Sequence, residues 1–130
     1  MKKILVDTSI WIEYFKGNKQ VVDLIHDKTS YSIYIAGPII TELIQGLKTA
    51  SEKGIFTDVL GGLPSLPVTD QDWIDAGIMG ATLREKGITV PLPDLLIYTL
   101  ALNNSCLLYS KDKHFKMIND ATKNKVKIKM

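Results

Sequence analysis

Lys3-Ile4-Leu5-Val6-Asp7-Thr8-Ser9-Ile10-Trp11-Ile12 joins an unbroken apolar run to a carboxylate and two hydroxyl residues. Ile4, Leu5 and Val6 read as a strand buried on both faces, as in a parallel sheet covered by helices. Ile10, Trp11, Ile12, Tyr14 and Phe15 then read as a helix. A buried strand that delivers an Asp to a strand-to-helix turn sets it outside the carboxyl end of the sheet. Open α/β folds bind ligands there. The same Asp7, with Thr8 and Ser9, also suits a plain helix cap.

Working outward, the 130 residues fit one domain, 1–130, with enough chain to bury a core. No apolar run approaches the ~18–20 residues of a membrane span. The run after Met1-Lys2-Lys3 stops at Asp7, short of the ~7–15 residues of a signal core. A cytoplasmic protein with no membrane partner is expected. Cys106 is the single cysteine, which excludes an intrachain disulfide and zinc sites built on several thiolates. Within Cys106-Leu107-Leu108-Tyr109 it reads as a buried, inert thiol. The net charge of +2 names no partner. Lys111, Lys113, Lys116, Lys123, Lys125, Lys127 and Lys129 face only Asp112 and Asp120 in the same stretch. That pattern suits a solvated surface or a protected sheet edge, and is compatible with a polyanionic substrate.

Lys16-Gly17-Asn18 breaks the first helix, and Val21, Val22, Leu24 and Ile25 suggest a short second one. Tyr31 to Ala36 alternates as a strand and ends at Gly37-Pro38, with Pro38 in the first turn of a helix. Ile39, Ile40, Leu43, Ile44 and Leu47 stripe that helix, leaving Thr41, Glu42 and Gln45 off the stripe. A helix over Ser51–Leu60 closes at Gly61-Gly62. Leu63–Val68 reads as a short strand interrupted by Pro64 and Pro67. Asp70 is expected to cap a long helix with Trp73, Ile74, Ile78, Met79 and Leu83, ended by Gly87, and Gly77 and Gly80 read as packing notches. Pro93 opens the most apolar helix, Leu95–Leu102, which belongs in the centre of the fold. Cys106–Tyr109 is another buried strand, followed by a short helix holding Phe115, Met117 and Ile118. Val126, Ile128 and Met130 alternate with lysines as an edge strand would. Strands separated by helices, with no hairpin signal, imply right-handed crossovers. The expected fold is α/β, a three-layer α/β/α sandwich around a mainly parallel sheet.

Of the fourteen acidic residues, four fall outside plain solvated faces. Asp7 follows the first buried strand. Glu42 lies one turn before Gly46. Asp94 is the lone charge at the head of the most buried helix, and Asp112 follows the other strongly apolar strand. Strand ends and first turns of the following helices share one edge of a parallel sheet, so the four can converge. Each also has a local reading: Asp94 suits the helix dipole, Asp112 a cap, Glu42 a solvated face. If they cluster, repulsion raises their pKa values unless a cation sits among them. Oxygen donors without thiolates select a hard cation, Mg²⁺ or Mn²⁺. One such ion, or two ~3.5–4 Å apart, activates water and neutralises charge on a phosphodiester. His26 and His114 both read as surface positions, although His114 lies close enough to Asp112 to touch a substrate phosphate. Ser9 and Ser110 lack a nucleophile-elbow context, and there is no phosphate loop of either common type.

Four segments together carry a resemblance. They are Leu5-Val6-Asp7-Thr8-Ser9-Ile10-Trp11-Ile12, Thr41-Glu42-Leu43-Ile44-Gln45-Gly46, Pro93-Asp94-Leu95-Leu96-Ile97 and Leu107-Leu108-Tyr109-Ser110-Lys111-Asp112-Lys113-His114-Phe115. Over nearly its whole length the chain resembles the PIN-domain nucleases, in particular the small VapC-type ribonuclease toxins of toxin–antitoxin pairs. The resemblance implies a five-stranded parallel sheet and an acidic cluster that binds Mg²⁺, with Mn²⁺ able to substitute. It also implies metal-dependent cleavage of RNA, with transfer RNA as the family-level expectation and ribosomal and messenger RNA left open. By the same resemblance Asp7 and Asp94 are metal ligands, Glu42 completes the site, and Asp112 is the fourth acid. Ser9 and Ser110 match positions where relatives carry a hydroxyl near the carboxylates. Many relatives have a further acid just before the final Phe, where this chain has His114. A homodimer is implied too, with Trp11, Tyr14 and Phe15 available either to an interface or to the core, and so is a small antitoxin that covers the site.

The expected function is therefore a metal-dependent endoribonuclease, the toxin of a type II toxin–antitoxin system. Attack by water would leave 5′-phosphate and 3′-hydroxyl ends. Two rivals are a catalytically silent PIN-like module that binds RNA or protein, and another Mg²⁺-dependent phosphatase. The haloacid-dehalogenase-like version of the latter normally needs a second Asp where this chain has Ser9.

Overall fold

A computed structural model of the chain describes residues 1–129. In chain order the elements are β1 (Lys2–Val6), α1 (Thr8–Phe15), α2 (Lys19–His26), β2 (Tyr31–Ala36), α3 (Gly37–Gly46), α4 (Ala50–Gly61), β3 (Ser65–Leu66), α5 (Asp70–Glu85), α6 (Leu92–Asn103), β4 (Leu107–Tyr109), α7 (Lys113–Ala121) and β5 (Ile128–Lys129). The five strands order as β3-β2-β1-β4-β5. All four pairings are parallel, with Ile4 opposite both Ile33 and Leu107. Right-handed crossovers place α1–α4 on one side of this sheet and α5–α7 on the other. Contacts of α1 with α2 and α3, and of α6 with α5 and α7, follow that split, and α3 also reaches α6. The expected three-layer α/β/α sandwich is what forms.

β1 is central because its side chains cannot face water on either side. Ile4, Leu5 and Val6 are all fully buried, each such side chain worth roughly 1.5–3 kcal/mol of burial. From β1 the chain steps to β2 and β3 on one flank, then crosses back to β4 and β5 on the other. The crevice between the carboxyl ends of β1 and β4 is therefore the topological switch point, where doubly wound sheets bind ligands. α6 is buried from Asp94 through Ala101, the central helix that its composition implies. Trp11 is wholly buried and meets Phe56 edge-on at 6.3 Å, while Tyr14 and Phe15 pack on the same core. Core packing thus accounts for the aromatics of α1.

Several local expectations are corrected. Thr69, not Asp70, caps α5, in a capping box with Asp72. The buried stripe of α5 is Asp72, Ala76, Met79 and Leu83, whereas Trp73, Ile74 and Ile78 face outward. Small residues set this register. A Cβ on Gly80 would stand 3.0 Å from Leu95 Cδ1, so Gly80 is the notch against α6, while Gly77 faces open space. Ile44 is likewise exposed, although Ile39 and Leu43 of its stripe are buried. The third strand shrinks to Ser65–Leu66, since Pro64 and Pro67 cannot donate to a ladder. Cys106 is buried and its thiol is pushed up by burial, as befits an inert position. The last strand lies at the sheet edge as expected, with Met130 outside the described residues. Among the described residues no helix is long and apolar enough to cross a membrane.

Candidate active site

Asp7 emerges from β1 and caps α1, its carboxylate accepting from the Ser9 amide at a long 3.4 Å. Its stronger partners are hydroxyls. Ser9 Oγ donates to Asp7 Oδ2 at 2.9 Å and Ser110 Oγ donates to the same oxygen at 2.8 Å. Each serine in turn accepts a backbone N–H from the turn after β4: Lys111 N to Ser9 Oγ at 3.0 Å and Asp112 N to Ser110 Oγ at 2.9 Å. Two short relays therefore carry N–H dipoles through hydroxyls onto one carboxylate oxygen, and such chains polarise along their length. Oδ1 of Asp7 takes no hydrogen bond from the described residues. Ser110 is fully buried, so removing its hydroxyl strands a donor that water cannot reach.

Asp112 caps α7 through the His114 amide at 2.9 Å. That cap turns the His114 ring back toward the site. His114 Nδ1 lies 2.7 Å from Asp94 Oδ2 and 3.0 Å from Asp112 Oδ1. One ligand atom from each of Asp94, Asp112 and His114 falls within 4.8 Å of the others. Asp94 reaches this point from the first turn of α6, after Pro93, and is only 8% exposed. Burial pushes its carboxyl up to about 6; the Asp112 charge adds to this, the His114 contact opposes it, and Asp7 adds a further push. Glu42 arrives from α3, which packs against α6, and its Oε1 accepts the Thr8 hydroxyl at 3.2 Å. Burial also raises the Glu42 carboxyl, Thr8 opposes the rise, and the charges of Asp7 and Asp112 push upward.

The four acids singled out in the sequence thus feel one another at the same edge. The tight group is Asp94 and Asp112 with His114; the charge of Asp7 reaches Asp94, and those of Asp7 and Asp112 reach Glu42. Two partners escaped the sequence reading. His114, expected at the surface, is in contact with two carboxylates. Its signal was the Asp112-Lys113-His114 spacing, because a cap at Asp112 holds the residue two places on against it. Thr8, read only as a capping hydroxyl, instead donates to Glu42 across 34 residues, a pairing no local pattern encodes. His26 is exposed, as expected, and meets Tyr14 at 2.9 Å.

Several acids drawn together with few cationic partners form a donor set for a divalent cation. Burial first, and then the charges of neighbouring acids, hold the carboxyls of Asp94 and Glu42 above their ordinary values. No thiolate enters the group, and the single nitrogen comes from His114.

Comparison with known proteins agrees with this architecture. The PIN domain model matches residues 4–121. Ribonuclease VapC11 of Mycobacterium tuberculosis (strain H37Rv) is 30% identical over 123 residues, covering 88% of this chain and 90% of the relative. VapC ribonuclease Mb1587 of Mycobacterium bovis matches to the same extent. The fold is similar to that of VapBC2 from Rickettsia felis, solved bound to a DNA fragment from its promoter, with TM-score 0.80 at 16% identity over 98% of this chain and 97% of that one. It also resembles DNA-bound VapBC from Salmonella typhimurium, with TM-score 0.77 at 22% identity over 99% and 98% of the two chains. The match over most of the chain, together with the relatives' identity, places this protein in the PIN-domain family.

Proposed function

We propose that the chain is a divalent-metal-dependent endoribonuclease and the toxin of a toxin–antitoxin pair. The observation that carries this reading is the meeting of Asp94, Asp112 and His114 at the β1/β4 switch point, with the charge of Asp7 acting on Asp94. The VapC relatives are named ribonucleases, and RNA is accordingly the substrate class assigned here.

Asp7, Asp94 and Asp112 would hold the ion, Mg²⁺ or Mn²⁺, with Glu42 completing the acidic site. When bound, such an ion neutralises charge on a phosphodiester and makes water a better nucleophile. Ser9 and Ser110 fix Asp7 by tying down Oδ2, which keeps Oδ1 turned to the site. Glu42 is suited to take a proton from the attacking water, because a carboxylate raised toward the working pH is a better general base. Thr8 orients it through Oε1, leaving Oε2 to receive the proton. Water attack at phosphorus with departure of the 3′-oxygen yields 5′-phosphate and 3′-hydroxyl ends. Capture by a small antitoxin belongs to the same reading, supported by the VapBC structures among the structural neighbours, and homodimerisation is proposed with it. A cytoplasmic location and a transfer RNA substrate complete it.

The test uses antitoxin-free protein with total cellular RNA in Mg²⁺, in Mn²⁺ and in EDTA, with Asp94→Asn alongside and fragment ends sequenced. Discrete metal-requiring cuts, lost in the variant, are expected. Intact RNA under every condition would favour a silent binding module, and 2′,3′-cyclic phosphate ends would overturn water attack.

A further inference from the structure

His114 stands in the first turn of α7, held by its own amide on Asp112 Oδ1 at 2.9 Å. Its Nδ1 is directed between two carboxylates, 2.7 Å from Asp94 Oδ2 and 3.0 Å from Asp112 Oδ1. A ring nitrogen carries at most one proton, so it can satisfy only one of these oxygens fully. A cation at the same place meets all three atoms at once. Neighbouring ligands of an octahedral ion with bonds of 2.0–2.1 Å lie about 2.9 Å apart, close to both distances from Nδ1, and one ligand atom of each residue lies within 4.8 Å of the others. Nε2 takes no hydrogen bond from the described residues, and the side chain is 29% exposed. The ring can therefore keep its proton on the solvent side while Nδ1 offers a lone pair.

We propose that His114 Nδ1 is a ligand of the divalent ion, making this a mixed nitrogen–oxygen centre that favours Mn²⁺ and Co²⁺ over Mg²⁺. The proposal rests on the reading that the acidic edge binds a divalent cation. Magnesium is a hard ion that seeks oxygen, whereas an imidazole strengthens binding along the transition series. An all-carboxylate edge would lack this bias.

Two measurements test it on the full chain. Pulsed EPR of Mn²⁺-loaded protein, made with natural and with ¹⁵N-labelled histidine, should show a directly coupled nitrogen that changes with the label. The coupling should vanish in His114→Asp, which keeps an anionic donor and leaves His26 as an internal control. Calorimetric titration should show the Co²⁺-to-Mg²⁺ affinity ratio falling by about tenfold or more in the same variant, since even groups that only support a ligand contribute about 10–100-fold. Mn²⁺ binding without histidine coupling, together with an unchanged ratio in His114→Asp, would overturn the proposal and leave the metal site standing. Failure of the wild-type protein to bind any of the three ions would overturn the metal-dependent reading, and this inference with it.

Discussion

Two helices of this fold open with a buried aspartate, and the two carboxylates live very differently. Asp72, in the first turn of α5, is 5% exposed, and Asp94, in the first turn of α6, is 8% exposed. Asp72 is satisfied. Its Oδ2 accepts the Thr69 amide and hydroxyl, both at 2.9 Å, and its Oδ1 accepts Asn103 Nδ2 at 2.8 Å. Burial pushes its carboxyl up, yet the Asn103 and Thr69 bonds outweigh burial and bring it below the ordinary value. For Asp94 burial is again the largest push, but here His114 is the side-chain partner that opposes it while the charges of Asp112 and Asp7 add to it, so its carboxyl rises to about 6. Burial marks both residues. Only the unsatisfied charge marks a site, because a carboxylate kept short of donors is one that a cation can claim.

The largest expected effect separates the two in catalysis. Asp94→Asn should lower RNA cleavage by about 10³-fold or more, roughly 4 kcal/mol of lost transition-state stabilisation. Asp72→Asn should cleave at nearly the wild-type rate at a temperature where it is folded. Comparable losses in both would erase the distinction.

Stability should separate them in the opposite direction. Asp72→Asn places an amide where two donor groups converge, and chemical denaturation should show a loss of ~1–3 kcal/mol. Asp94→Asn in EDTA at pH 7.5 should gain stability, on the order of 1–3 kcal/mol, by removing a buried charge whose carboxyl is pushed up to about 6. Ser110→Ala should resemble Asp72→Asn in stability and Asp94→Asn, more weakly, in cleavage. It removes a hydroxyl that donates to Asp7 and accepts from Asp112 N, costing ~1–2 kcal/mol and reducing cleavage by loosening Asp7.

The pH dependence sharpens the same contrast. Asp94 has its folded carboxyl above the unfolded value, so it binds its proton more tightly when folded. Its contribution to metal-free stability is greatest at low pH and is lost as pH rises from about 4 through about 6. The advantage of Asp94→Asn over wild type should therefore open across that window and level off above it. Asp72 has the reverse sign: its contribution is present above the unfolded value and is lost as pH falls through its lowered folded value. Denaturation in EDTA from about pH 2 to 7.5 checks both signs. The smallest effect is expected at Thr8→Val, which removes one 3.2 Å bond to Glu42 and should change cleavage by a few-fold, mainly through the pH profile.

Much of this is legible in the chain before folding. Ile4-Leu5-Val6 announces a doubly buried strand, and Asp7 after it lands at the sheet edge that such a strand dictates. Asp94 is conspicuous because it is the one charge in an otherwise apolar helix. Asp72 was passed over, since it looks like any acid in a polar helix start; its burial is set by the close approach of α5 to α6 at Gly80. The outward turn of Trp73, Ile74 and Ile78 follows from that same contact. Periodicity reports which residues share a helix face, but not which face meets the neighbour. The contact of His114 with Asp94 is hidden from the helix pattern for a related reason, although the family resemblance sets His114 where relatives carry an acid. Its own helix is amphipathic and exposed, and only the tertiary approach of α6 brings Asp94 within reach of the ring.

The most direct test of the central claim is anomalous diffraction from crystals of the antitoxin-free protein grown with Mn²⁺. A single site at the β1/β4 switch point is predicted to show a strong peak bonded to Asp94 and Asp112, beside Asp7 Oδ1, with Asp72 carrying none. Ordered Asp94 and Asp112 side chains without any peak between them, at millimolar Mn²⁺, would contradict the account.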